Sequence, residues 1–426
     1  MNNMKKSIIL TAVLAMCIGC DPETPQVKDP IQMSSPQPTE QITKVSLTAE
    51  EAAMVQSGNS LTFKLFPLLQ QGDKSFVFSP LSLQYALGMT ANGASGKTLD
   101  QIVAALGFGN DIGKLNALCN KLLNELPALD KDVKLQLADA ILVNDKYPLL
   151  PSFKEKVEST YYAAVENMSF ADPDAVAARI NDWASRNTNG LIDKMLEADQ
   201  IHPNALAFLM NALYFKAPWV SEGAQPLFDS EFTRNEGFRP GVGCDAIEVP
   251  MMHTSRWWQY ADMGDFQALR IPYASGKFAM YILLPQGVIS GLADNFPTLD
   301  WKGILSQMKT REIILSLPKF ETSSSFNLND ALKALGVKDA FTDDAQFDLM
   351  FQDPEVQAFI DKVIQKARIT VAEWGTEAAA VTVVAMAGNA LPADPPVYFT
   401  CDHPFAYLIA EETSGTILFA GAYTGK

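Results

Sequence analysis

The side chains able to do chemistry are few, and their spacing argues against a conventional active site. Ala91-Asn92-Gly93-Ala94-Ser95-Gly96-Lys97-Thr98 comes close to a phosphate-cradling loop. Such a loop needs a glycine at its first position and a strand before it. Here Ala91 replaces the glycine and a helical pattern precedes it. The three histidines are His202, His253 and His403. None lies in a His-Glu-x-x-His or Cys-x-x-Cys arrangement, so no zinc site is expected. No Gly-x-Ser-x-Gly nucleophile elbow is present, while a triad assembled from distant residues stays open. No cofactor or metal is expected.

Residues 373–398 show a different pattern, a strand-competent segment joined to loop chemistry. Glu373 to Met386 is strand material, dominated by small and β-branched residues. Between Gly375 and Phe399 the only charges are Glu377 and Asp394. As a strand, Thr376, Ala378, Ala380, Thr382, Val384 and Met386 would share one uncharged face, with Glu377 on the other. Gly375 stands where a hinge needs free backbone torsions. The stretch that follows, 387–396, is loop chemistry: Gly388, Asn389, Pro392, Pro395 and Pro396.

The elements around this stretch identify a family. Glu373-x-Gly375-Thr376-Glu377-Ala378-Ala379-Ala380 resembles the hinge of a serpin. Further serpin-like blocks run in order: Phe78-Ser79-Pro80-x-Ser82, Ile180-Asn181-x-Trp183 and Thr188-Asn189-Gly190. They continue with Asn211-Ala212-Leu213-Tyr214-Phe215-Lys216, Leu317-Pro318-Lys319-Phe320 and Asp402-His403-Pro404-Phe405. The resemblance covers the chain from about Leu47 to its end. It implies an α+β serpin fold, with a helix-rich first half packed on large mixed β-sheets and an exposed C-terminal reactive loop.

The residues alone support α+β as well. Ser79 can cap a helix with Pro80 at its first position, and Leu83, Ala86, Leu87 and Thr90 then share a face. A second helix starts at Asp172-Pro173, carries Val176, Ile180 and Trp183 on one face, and ends at Asn189-Gly190. Leu206 to Tyr214 reads as a strand buried on both faces. Phe278 to Leu284 and Ile313 to Leu317 are further apolar runs. Phe405 to Ala410 and Thr416 to Ala422 flank a turn and read as a hairpin. Trp183, Trp219 and the Trp257-Trp258 pair read as core or groove packing.

The N-terminus reads as an address. Lys5 and Lys6 precede an apolar run from Ser7 to Ile18 that is too short to span a bilayer. Cys17-Ile18-Gly19-Cys20 resembles a bacterial lipobox, with Cys17 where Leu is usual. The expectation is a lipoprotein signal peptide over 1–19, lipid on the Cys20 thiol and a proline-rich tether over 20–45. A serpin domain over 46–426 would follow, on an exported bacterial lipoprotein at the outer membrane or cell surface, or facing the periplasm. The net charge of −16 argues against nucleic acid. After Cys20, only Cys119, Cys244 and Cys401 remain; an odd set reads as buried free thiols, not a disulfide framework.

The resemblance implies a protease inhibitor, not an enzyme, with serine or cysteine proteases as covalent partners and a monomeric state. Ser79 and Ser82 would line the region where the sheet parts. Lys319 would pair with Glu373 at the top of the opening, near Trp219. Gln365 stands where the family often has histidine, so a histidine latch is not expected. Counting Glu373 as first and the cleaved residue as seventeenth places the bait bond at Asn389-Ala390, with Gly388, Ala390 and Leu391 open as alternatives. No Lys or Arg lies between Gly375 and Phe399. A trypsin-like pocket needs one, so elastase-, subtilisin- or papain-like targets fit better. A non-inhibitory serpin-fold binder or chaperone is the alternative, though it would typically carry a charged or bulky hinge residue. A surface hydrolase is more distant.

Overall fold

The computed structural model describes residues 41–107, 111–203, 205–220, 226–241, 243–376 and 394–426. Helices come first: α1 (Ala49–Leu69), α2 (Pro80–Asn92), α3 (Gly96–Leu106), α4 (Ile112–Glu125), α5 (Pro151–Tyr161) and α6 (Pro173–Asn187). Three short ones follow late: α7 (Ile289–Asn295), α8 (Trp301–Gln307) and α9 (Asn329–Ala334). Their starts obey local chemistry. Thr48 and Glu51 form a reciprocal capping box on α1. Ser79 caps α2 with Pro80 next, and Asp172 caps α6 with Pro173 next, as the sequence predicts.

The early strands are β1 (Phe76–Phe78), β2 (Lys134–Asn144), β3 (Ala164–Met168) and β4 (Ala207–Pro218). The middle ones are β5 (Arg234–Phe238), β6 (Ile247–Asp262), β7 (Phe266–Tyr273), β8 (Phe278–Pro285), β9 (Lys309–Pro318) and β10 (Phe320–Asn327). The last are β11 (Ile364–Ala372), β12 (Gly375–Thr376), β13 (Val397–Thr400), β14 (Phe405–Glu411) and β15 (Ile417–Tyr423). A nine-stranded sheet runs β1-β15-β14-β8-β7-β6-β9-β13, with β5 on β6, and a six-stranded sheet runs β10-β11-β12-β4-β2-β3. Each holds one parallel pair, β13 with β9 and β2 with β3; the other pairs are antiparallel. The fold is α+β.

Alternation along β2 explains how one strand serves two cores. Leu135, Leu137, Ile141 and Val143 join the main core, whereas Ala138, Ala140 and Leu142 meet Val176, Ile180 and Trp183 of α6 on the other face. Helix α2 lies between β4 of one sheet and β15 of the other. Its burial extends from Leu81 through Tyr85 to Ala91, so the single apolar face expected from sequence becomes a helix buried on nearly all sides.

Two expectations need correction. Cys119 and Cys401 are buried free thiols, but Cys244 is exposed. Trp183, Trp219 and Trp258 are buried, but Trp257 is half exposed because alternation on β6 turns it away from the side Trp258 packs against.

Candidate functional site

At one end of the six-stranded sheet the chain leaves β11, turns through Glu373 and Trp374, and returns as β12. Gly375 lies opposite Ala372 and Pro218, and Thr376 opposite Val371 and Ala217. Gly375 and Thr376 therefore form a short strand between β11 and β4. Gly375 has φ +143°, and an added Cβ would lie 2.1 Å from the Ala217 carbonyl oxygen. Only glycine fits that close approach.

Trp219 fastens the turn. Its indole Nε1 donates to Ala372 O at 2.8 Å, and its backbone N donates to Trp374 O at 3.0 Å. Its ring stacks on Tyr273 at 4.4 Å and 8° between planes. Tyr273 in turn shares a 2.5 Å hydrogen bond with the Thr376 hydroxyl, so a small polar hinge residue is satisfied inside the sheet.

Glu373 is 5% exposed. Its Oε2 lies 3.0 Å from Lys319 Nζ, and Oε1 accepts from Thr233 Oγ1 at 2.9 Å. Burial works against its charge, but its backbone N–H, Lys319 and Thr233 outweigh burial and hold the carboxyl below its ordinary range. The expected Lys319–Glu373 contact is thus formed, at the turn whose flanking carbonyls, Ala372 and Trp374, accept from Trp219.

Beneath the sheet, the first turn of α2 touches both strands that flank β12. Toward β11, Ser79 N donates to Gln365 Oε1 at 3.1 Å and Gln365 Nε2 donates to Ser79 O at 2.8 Å. Toward β4, Ser82 Oγ donates to Asn211 Oδ1, whose Nδ2 donates to Asp139 Oδ1 at 2.7 Å. Ser79 Oγ also donates to Leu418 O at 2.8 Å and accepts from Ser82 N at 3.1 Å. The Gln365 side chain is a neutral amide that donates and accepts at once.

Sequence reasoning missed Tyr273, Thr233 and Asp139 as members of this region. Asp139 did carry a signal, a lone charge inside Leu137-Ala138-Asp139-Ala140-Ile141. Tyr273 and Thr233 carried none, because only the fold brings them to the hinge.

Glu377, Ala378, Ala379, Ala380, Gly388, Asn389, Ala390, Leu391 and Cys20 lie outside the described residues. The far stem of the loop is described from Asp394. Arg311 on β9 holds it, with Nη1 3.6 Å from Asp394 Oδ2 and Nη2 donating to Pro395 O at 3.1 Å. Among the described residues, both flanks of the 377–393 stretch are thus held by side chains, Trp219 and Lys319 on one side and Arg311 on the other.

Two of the histidines are held by neighbours in the sheets. His253 Nδ1 is 3.1 Å from Ser316 Oγ, and its Nε2 is 2.9 Å from Glu236. This serine–histidine–carboxylate row lies flat across β9, β6 and β5, with Ser316 in ladders against both His253 and Thr400. His403 lies 2.8 Å from both Asp402 Oδ1 and Pro285 O, a structural clasp. Among the described residues no cluster of His, Cys, Asp or Glu could hold a metal, and no helix is long and apolar enough to cross a membrane. The Ala91–Thr98 stretch joins the end of α2 to α3, without the preceding strand a phosphate loop needs.

Comparisons with known proteins agree with this geometry. The family profile described as Serpin (serine protease inhibitor) matches residues 56–425. An uncharacterized serpin-like protein of Thermococcus kodakarensis is 32% identical over 433 aligned residues, covering 98% of each chain. The thermophilic serpin Tengpin in its native state superposes with a TM-score of 0.78 at 25% identity, covering 91% of this chain and 97% of its own. Human thyroxine-binding globulin, solved in complex with thyroxine, gives a TM-score of 0.77 at 25% identity, covering 88% of this chain and 99% of its own. With a family match over most of its length and a relative 32% identical across almost the whole chain, this chain belongs to the serpin family.

Proposed function

We propose that the chain inhibits serine or cysteine endopeptidases as a suicide substrate. The protease nucleophile attacks the carbonyl carbon of Asn389. The bond to the Ala390 nitrogen breaks, that amine leaves with a proton supplied by the protease, and an ester or thioester remains. The freed segment then adds as a strand to the six-stranded sheet and carries the protease with it before water can release it. Serpin loop insertion is an established instance of strand addition and of stored strain released. It demands a native state held kinetically above a more stable one.

The observation that carries the reading is the position of β12. Gly375 and Thr376 already occupy the place between β11 and β4, and among the described residues the two strands are joined only through them. A strand continuing from Thr376 would run antiparallel to both, offering each a hydrogen-bonding partner. Thr376 points to Tyr273, and alternate residues after it, Ala378 and Ala380, would follow on the same face without burying a charge.

The absence of Lys and Arg from the loop favours elastase-, subtilisin- or papain-like targets over trypsin-like ones. The N-terminal lysines, apolar run and Cys20 support an exported, lipid-anchored protein on a proline-rich tether, acting as a monomer at a membrane face. Its test is radiolabelled-lipid incorporation, present in the natural chain and lost in Cys20→Ala. A serpin-fold binding protein is the second reading, favoured by the likeness to thyroxine-binding globulin. Mixing with proteases separates the two: inhibition yields a covalent complex stable in denaturant, whereas the binder yields cleavage alone.

A further inference from the structure

Asp139 lies in the middle of β2 and is 1% exposed. One carboxylate oxygen accepts from Asn211 Nδ2; the other is buried with no partner among the described residues. The groups facing it come from four elements. β4 supplies the Asn211 amide, α2 the Tyr85 phenol, α4 the Cys119 thiol and α5 the Tyr161 phenol. Burial keeps both phenols neutral and pushes the thiol up to about 12. The opposite face of β2 meets apolar side chains of α6. None of these is a cation, so a charge on Asp139 is uncompensated. Burial raises its carboxyl to about 7 despite the Asn211 bond.

The position of this group gives it leverage. Asn211 uses one end of its amide on Asp139 and the other on Ser82 at the start of α2. That contact seats β4 on α2, while the Ser79–Gln365 pair seats β11 on the same turn. Parting β4 from β11 must break one seat or the other. If β4 lifts off α2, β2 goes with it because Asp139 and Asn211 are register partners, and water then reaches the carboxyl, which relieves a buried charge but does little for a neutral acid.

We propose that Asp139 is a proton-operated catch on sheet opening: neutral, it leaves β2 and β4 seated on α2; ionised, it drives β4 to lift and part from β11. The sign follows from linkage. The closed form holds its proton up to about pH 7, whereas a hydrated open form releases it near the ordinary value of about 3.9. Closure is therefore strongest below the ordinary value, weakens as pH rises through 7 and levels off above it. Between pH 6 and pH 8 the open population rises roughly tenfold if opening hydrates the group fully.

The test is backbone hydrogen exchange of β2 and β4 in the full chain at pH 6, 7 and 8, corrected for intrinsic rates. The wild type should lose protection by up to about tenfold across this window, and Asp139→Asn should not. Asp139→Ser serves if Asp139→Asn does not fold. A flat wild-type profile, or an equal slope in a folded variant, overturns the proposal. No protease enters the measurement, so its outcome is independent of the inhibitory reading.

Discussion

Gln365 and Ser79 exchange two hydrogen bonds, and through them β11 rests on the first turn of α2. Gln365 is 6% exposed and Ser79 2%, so water cannot replace either bond without an opening. Gln365→Ala leaves the Ser79 N–H buried and unpaired, a loss of about 1–3 kcal/mol. We expect a lower thermal midpoint and faster spontaneous conversion on heating to a form whose loop resists proteolysis. An unchanged midpoint would mean that β11 is seated by packing alone.

The Glu373–Lys319 pair should act on the hinge more than on global stability. Lys319 is 47% exposed, so screening limits the direct contribution to about 1 kcal/mol or less. Lys319→Ala should barely move the thermal midpoint yet expose the Glu373–Thr376 turn to limited proteolysis. The Glu373 carboxyl is held low in the fold, so its stabilisation is present above the ordinary carboxylate range and lost as pH falls through and below it. Acid should loosen this turn while neutral Asp139 tightens the sheet below, and limited proteolysis at pH 3.5 against pH 7 reads the turn directly.

Local features of this fold are written in the sequence. Ser79-Pro80 and Asp172-Pro173 announce helix starts through their own backbone chemistry, and the glycine at 375 announces a close backbone approach. The Lys319–Glu373 contact was also legible, although only by likeness to a family. What sequence could not supply was cross-chain proximity. Trp219 and Tyr273 stack because β4 and β7 end beside each other, which no local pattern encodes. Burial of α2 on nearly all sides was equally hidden, since a one-faced pattern cannot reveal a helix lying between two sheets. Trp257 and Cys244 were misplaced for the converse reason: composition says apolar or thiol, and strand parity or loop position decides exposure.

Thr376 is the residue at which insertion should be easiest to stop. It is 3% exposed and bonded to Tyr273. Thr376→Arg would bury an unpaired charge at a cost on the order of several kcal/mol. The protein should then be cleaved by its target without trapping it, turning an inhibitor into a substrate. Persistent covalent complex in this variant would show that insertion does not pass through the Thr376 site.

Arg311 should govern how the loop is presented. It grips Asp394 and Pro395 where the loop rejoins β13. Arg311→Ala loses about 1 kcal/mol of anchoring, so the association rate with a target protease should fall about fivefold. Thermal stability should stay nearly unchanged. A rate equal to the wild type would assign loop presentation to the hinge alone.

The most direct measurement is to mix the protein with elastase, subtilisin, papain and trypsin, then resolve the products by denaturing gel and intact mass. The account predicts a covalent complex with at least one of the first three and none with trypsin within the loop. It also predicts a released C-terminal fragment beginning near Ala390 and a cleaved form more heat-stable than the native one. Cleavage without complex and without added heat stability would contradict insertion, and with it the inhibitory function.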